Sequence, residues 1–137
     1  MLNLPNGLPK RVALFGLSLF YVLAGVNHFL NSDFYVGMMP PYLPAHLELV
    51  YLSGILESLG GAAVLAPRLR ASAGWGLVLL LVAVFPANLQ MALNPDLFPD
   101  IGSAVLYVRL PLQVPLIAWA YWATRPDRAV RASAPAR

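Results

Sequence analysis

The sequence predicts an all-α membrane protein, a bundle of four transmembrane helices with both termini in the cytoplasm. Three observations predict it. Hydrophobic residues make up 59% of the chain and charged residues only 11%, with a mean hydropathy of +0.67. A soluble domain carries roughly 25% charged residues, so this surface is too poor in charge to face water. The apolar residues fall into four long stretches, and the basic residues fall on alternate connections between them. The net charge of +3 is spread over several connections, which reads as membrane topology and not as nucleic-acid binding. There are no cysteines, which excludes disulfides, thiol catalysis and Cys-ligated metal.

Residues 1–9 form a short N-terminal segment. Asn6-Gly7 and two prolines argue against helix there. Lys10 and Arg11 precede a long apolar run. That order resembles a secretory signal, but no A-x-A site follows and more apolar segments come later, so an uncleaved first span is expected over 10–30. Residues 31–46 form an unusually apolar connection. Its Pro40, Pro41 and Pro44 argue against a regular helix, and its aromatics suit an interface or the mouth of the bundle. The second span is expected over 47–66, with Gly54, Ser58 and Gly61 as a small-residue stripe. A basic turn, 67–70, leads to the third span over 71–93. Pro86 should kink that span and free the carbonyl of Val82. An acidic turn, 94–102, leads to the fourth span over 103–124, which holds Arg109, Pro111, Gln113 and Pro115. The bundle is thus expected over 10–124, and 125–137 is a basic tail rich in Ala and Pro with the composition of disorder. Each span is about 20 residues, enough for a hydrocarbon core of roughly 30 Å.

The charges orient the bundle. Lys10, Arg11, Arg68, Arg70, Arg125, Arg128, Arg131 and Arg137 share one side; the opposite connections have no Lys or Arg and carry Asp33, Asp96 and Asp100. The positive-inside rule places both termini in the cytoplasm of a multi-pass inner-membrane protein.

The embedded polar side chains are biased to the outer half. His28 ends span one, Glu57 lies roughly 15 Å below the start of span two, and Asn88 and Arg109 sit about five residues inside their spans. Facing stripes stand at helical spacing: Ser18, Tyr21, Gly25 and His28; Ser53 and Glu57; Phe85 and Asn88; Arg109 and Gln113. Arg109 is the only basic residue inside a span, and mid-membrane it costs about 2.5–3.5 kcal/mol. A pair between Arg109 and Glu57 or Glu48 is expected. It would fix helix packing, or present a donor fork to a headgroup or anionic ligand. His28 is either an interfacial hydrogen-bonder or a proton carrier. Asn88 either satisfies backbone groups freed by Pro86 or faces a ligand. His28 and His46 are the only histidines and no HxxxH spacing occurs, so no metal site is expected.

With GVNHF at 25–29, DFYVGMMPPYLP at 33–44, LVYLSGILESLGGAAVL at 49–65 and FPANLQMALN at 85–94, the chain resembles the DoxX and DoxX-like family of small membrane proteins. The resemblance implies a four-helix bundle associated with redox membrane systems, in which members serve quinone-linked oxidoreductases. The first functional expectation is therefore a redox-associated subunit that binds a quinone, a lipid or another amphipathic small molecule in an outer-leaflet pocket. His28 and Glu57 would exchange protons. Asn88, Arg109, Gln113, Tyr21, Tyr35, Tyr42 and Phe85 would bind the ligand, with Phe29 as a further wall. Electrons would come from a bound cofactor or a redox partner protein. The second expectation is a non-enzymatic scaffold or assembly factor, whose small-residue stripes pack on a partner or on a second copy in a homo-oligomer. The third is an enzyme or transporter for a small lipophilic substrate, with Glu57 as acid or base.

Overall fold

The computed structural model describes residues 4–126, and these are helical with short connections. The helices are α1 (Leu8–Leu30), α2 (Ser32–Gly37), α3 (His46–Ala63), α4 (Arg70–Leu93) and α5 (Ser103–Thr124), with one 3-10 turn at Pro95–Leu97. Residues 127–137, most of the expected tail, lie outside the described residues.

The helices begin and end for local reasons. α1 starts at Leu8, two residues earlier than expected, because Pro9 sits in its first turn, where a missing N–H costs nothing. It ends where Asn31 donates to the side chain of Asn27 at 2.6 Å. The connection expected to lack helix contains α2. Its prolines act only on their own and the preceding turn, and Ser32–Gly37 winds up ahead of them. Ala45 then reverses the chain in the left-handed region, φ 53° and ψ 52°, and caps α3. α4 and α5 run unbroken through Pro86, Pro111 and Pro115.

Among the described residues three helices, not four, are long and apolar enough to cross a membrane: α1, α4 and α5. The expectation of four equivalent spans needs that correction. α3 has only 18 residues, and His46, Glu48, Glu57 and three glycines dilute its apolar content. Its buried residues are Val50, Gly54, Glu57 and Gly61, so its least apolar face turns inward, where the other helices cover it.

The four long helices form a ring in which α1 and α4 each pack against both α3 and α5. α1 and α3 meet backbone to backbone. A Cβ on Gly54 would lie 2.8 Å from the Gly25 carbonyl oxygen and 2.8 Å from the His28 Cβ; one on Gly61 would meet the Ser18 carbonyl at 3.0 Å. The stripe that could have served a partner is therefore occupied by α1 of the same chain. α4 and α5 meet where Gly74 faces Thr124, whose hydroxyl donates to the Ala120 carbonyl at 2.7 Å. α1 and α5 are tied by Trp119 Nε1 donating to the Ala13 carbonyl at 3.0 Å and Lys10 Nζ to the Arg125 carbonyl at 2.5 Å. Arg125 lies between Trp75 and Tyr121, 4.7 and 4.5 Å from their ring centres. The start of α1 and the end of α5 thus share one end of the bundle, here termed the basic end.

Two apolar clusters fill the ring. The larger, toward the basic end, joins Leu14, Leu17, Tyr21, Val64, Leu77, Val78, Leu81, Ala120 and Ala123. The smaller, toward the acidic connections, joins Met38, Met91, Phe98 and Leu106. The space between them is not filled by side chains.

Candidate functional site

A cavity of about 700 Å³ opens between the two clusters and receives side chains from all five helices. That size is typical of small-molecule sites. α1 contributes Tyr21, Asn27 and His28; α2 contributes Tyr35; α3 contributes Ser53 and Glu57; α4 contributes Asn88; α5 contributes Arg109 and Gln113. Met38 and Met39 close it at the acidic end, and Leu81, Val84 and Leu116 supply apolar wall.

His28 is held on three sides. Its Nδ1 lies 3.0 Å from the Val50 carbonyl. A carbonyl only accepts, so Nδ1 carries a hydrogen and Nε2 is left to face the cavity. Tyr35 stacks on the ring with centres 3.9 Å apart, and Asn27 in turn donates to the Tyr35 hydroxyl at 2.8 Å. His28 Nε2 stands 3.6 Å from Glu57 Oε2. That is ion-pair range but beyond a hydrogen bond, and Glu57 Oε2 has no hydrogen-bond partner. The dyad can hold one proton on either the imidazole or the carboxyl.

The expected pair between Arg109 and a carboxylate is not formed. α3 and α5 sit on the diagonal of the ring with the cavity between them, so Glu57 meets His28 on the adjacent α1 instead. Glu48 is exposed and lies outside the cavity lining. Arg109 is half-buried and its one hydrogen-bond partner among the described residues is the weak acceptor Met91 Sδ, at 3.5 Å. The rest of its donor fork has no hydrogen-bond partner among the described residues. The Asn88 side chain likewise makes no hydrogen bond to the described residues and does not repair the backbone near Pro86. Gln113 reaches across to that region, with Nε2 2.5 Å from the Leu81 carbonyl, one turn before the proline.

Three buried residues of the lining carry polar atoms without a hydrogen-bond partner among the described residues: Tyr21 Oη, Glu57 Oε2 and Gln113 Oε1. These residues are only 3%, 9% and 7% exposed. Buried polar groups are nearly always paired, so three such atoms on residues that line one cavity are unusual.

Seven expected site residues therefore line one space: Tyr21, His28, Tyr35, Glu57, Asn88, Arg109 and Gln113. Two do not. Tyr42 follows the double proline outward and is 74% exposed. Phe85 is exposed because the inner face of α4 runs through Leu81, Val84 and Asn88, and one further residue turns about 100° away. Phe29 also lies outside and stacks on Tyr51. Asn27, Met38 and Met39 belong to the lining without having been singled out. Asn27 could have been found from its helical spacing with Phe20 and Ala24, which share its wall. The methionines depend on the fold of a loop. No three His, Asp or Glu side chains converge among the described residues as a metal ion would need.

A family model described as "Domain of unknown function (DUF8561)" matches residues 17–124 of the chain. No curated protein and no solved structure matches it.

Proposed function

We propose, for a chain that belongs to the DUF8561 family, that its cavity binds a quinone-type ring or a similar amphipathic molecule as part of a redox-associated membrane protein. The observation that carries this reading is the convergence of five helices on one cavity of about 700 Å³, with three buried polar atoms that lack a hydrogen bond on residues that line it. Phe20 and Leu23 of α1 and Leu112 of α5 both line the cavity and lie exposed on the bundle exterior. A lipophilic molecule can therefore enter sideways from the bilayer, between α1 and α5. The open donors of Arg109 and Asn88 suit ring oxygens, and the His28–Glu57 dyad can take up or return a proton. The resemblance of residues 25–29, 33–44, 49–65 and 85–94 to DoxX-like proteins favours a quinone-linked partner. This chain has no cysteine and would exchange electrons through such a partner or a bound cofactor. By the positive-inside rule both termini lie in the cytoplasm and the cavity in the outer leaflet.

The test is titration of the purified protein in lipid nanodiscs with a short-chain quinone, in oxidised and reduced form, followed by tryptophan fluorescence. Saturable binding that weakens roughly tenfold or more in Arg109→Ala is expected, the scale of a lost charge-assisted hydrogen bond. No saturable binding of either form would overturn the proposal. The His28–Glu57 contact also favours a second reading, an enzyme or transporter using Glu57 as acid or base. It requires a pH-dependent rate or flux that Glu57→Gln abolishes.

A further inference from the structure

We infer that the occupant of the cavity carries an anionic oxygen at its polar end, and that Arg109 is the group that recognises it. The inference rests on the reading above, that the cavity takes an amphipathic molecule, and adds the charge of that molecule. Its ground is the charge balance of the lining. Among the described residues the titratable lining groups are Tyr21 and His28 on α1, Tyr35 on α2, Glu57 on α3 and Arg109 on α5, with none on α4. Glu57 is the one carboxylate among them, and it stands 3.6 Å from His28 Nε2. While the dyad holds its one proton it has no net charge, whichever member carries it. Without that proton the negative charge still sits beside His28, across the ring from α5. A guanidinium stays charged. One positive charge of the lining therefore has no counter-ion in contact with it.

The geometry leaves that charge accessible. Arg109 is half-buried and lines the cavity, and its hydrogen bond among the described residues is the one to Met91 Sδ. Met91 stands three residues beyond Asn88 on α4, so the guanidinium reaches the stretch of helix that carries the Asn88 amide. Leu112 and Leu116 on α5 and Val84 on α4 are apolar neighbours in the same lining. A charge beside such walls is screened less than one on an aqueous surface. The planar fork takes an anionic oxygen through charge-assisted bonds, two in parallel for a carboxylate. A neutral ring carbonyl accepts from the same fork but leaves the charge unbalanced. Two kinds of amphiphile supply the anion: a hydroxyquinone with its ring hydroxyl ionised, and an alkyl-chain acid.

The experiment uses the full-length protein in nanodiscs of zwitterionic lipid, with partition into protein-free nanodiscs subtracted. Two matched pairs are titrated at neutral pH: a hydroxyquinone against its O-methyl ether, and an alkyl carboxylate against its methyl ester. The anion is expected to bind roughly tenfold or more tighter than its neutral mate. A preference in the first pair assigns the site to a ring anion; a preference in the second pair alone assigns it to a chain acid. Arg109→Gln, which keeps a donor and removes the charge, should erase the preference, and Arg109→Lys should retain part of it. The comparison within each pair is made on the unaltered chain, so it holds even if neither variant folds. Equal binding within both pairs, the result of an Arg109 that only reaches out to water, would overturn this inference and leave the binding of a neutral ring standing. A preference unchanged in Arg109→Gln would overturn the assignment to Arg109. Failure of all four molecules to bind would overturn this inference together with the reading it rests on.

Discussion

The two halves of the bundle use the same four helices in opposite ways. Toward the basic end they close on Leu14, Leu17, Leu77, Val64, Ala120 and Ala123, all buried. Further along, the same helices hold Tyr21, His28, Glu57, Asn88 and Gln113 around open space. The apolar half is closed by packed side chains. The polar half has groups whose partners are not all in the chain. In a membrane this contrast is informative, because lipid removes the hydrophobic penalty for loose packing and leaves van der Waals contact and hydrogen bonding to decide where helices touch. The tight half holds the helices at a spacing that the loose half does not set for itself.

The largest expected effect breaks the seam that runs through both halves. Gly54→Leu places a side chain where the Gly25 carbonyl and His28 Cβ already stand. It should cost about 3 kcal/mol or more, read as loss of folded protein in a denaturant titration in detergent. A smaller but sharper contrast separates the halves. Leu17→Ala, in the closed cluster, should cost about 3 kcal/mol, whereas Val84→Ala, against the cavity, should cost about 1 kcal/mol or less because no packed neighbour is lost on that side. Equal costs would mean that the two halves are packed alike. Tyr21→Phe sharpens the comparison further. It deletes a buried hydroxyl without a partner, so the unliganded protein should be unchanged or more stable by up to about 1 kcal/mol, while ring binding weakens. A destabilised Tyr21→Phe protein would show that the hydroxyl is satisfied within the chain. The smallest effect is at Gly76→Ala. Nothing lies within 4 Å of the Cβ it would add, and about 0.5 kcal/mol of added stability is expected from helix propensity alone. Gly74→Ala, one turn-face away and pressed on Thr124, should instead destabilise.

Much of this arrangement was legible in the sequence because helices have a fixed period. Tyr21, Gly25 and His28 share one face at spacings of three and four, and that face is the buried one. Arg109 and Gln113 share another by the same rule, and both reach the cavity. Periodicity places a residue on a helix but does not say which neighbour that helix faces. The choice of partner for Glu57 depended on the order of helices around the ring, which put α1 beside α3 and left α5 across the diagonal. Reach alone had favoured Arg109. The connection after α1 was obscured for a related reason. Its prolines announced irregular backbone, and the short helix ahead of them, which carries Tyr35 onto His28, has no signal longer than six residues. Phe85 was misplaced by a single residue, because a spacing of three from Asn88 is compatible with either edge of a helical face.

A ring-bearing molecule is proposed to occupy the space between the two apolar clusters. A photoactivatable quinol analogue, crosslinked to the protein in native membranes and mapped by mass spectrometry, tests it most directly. Adducts confined to 20–28 of α1 and 109–116 of α5, and suppressed by excess unmodified quinol, are the predicted result. Adducts scattered over exposed residues such as Leu79 and Val114, with no competition, would contradict it.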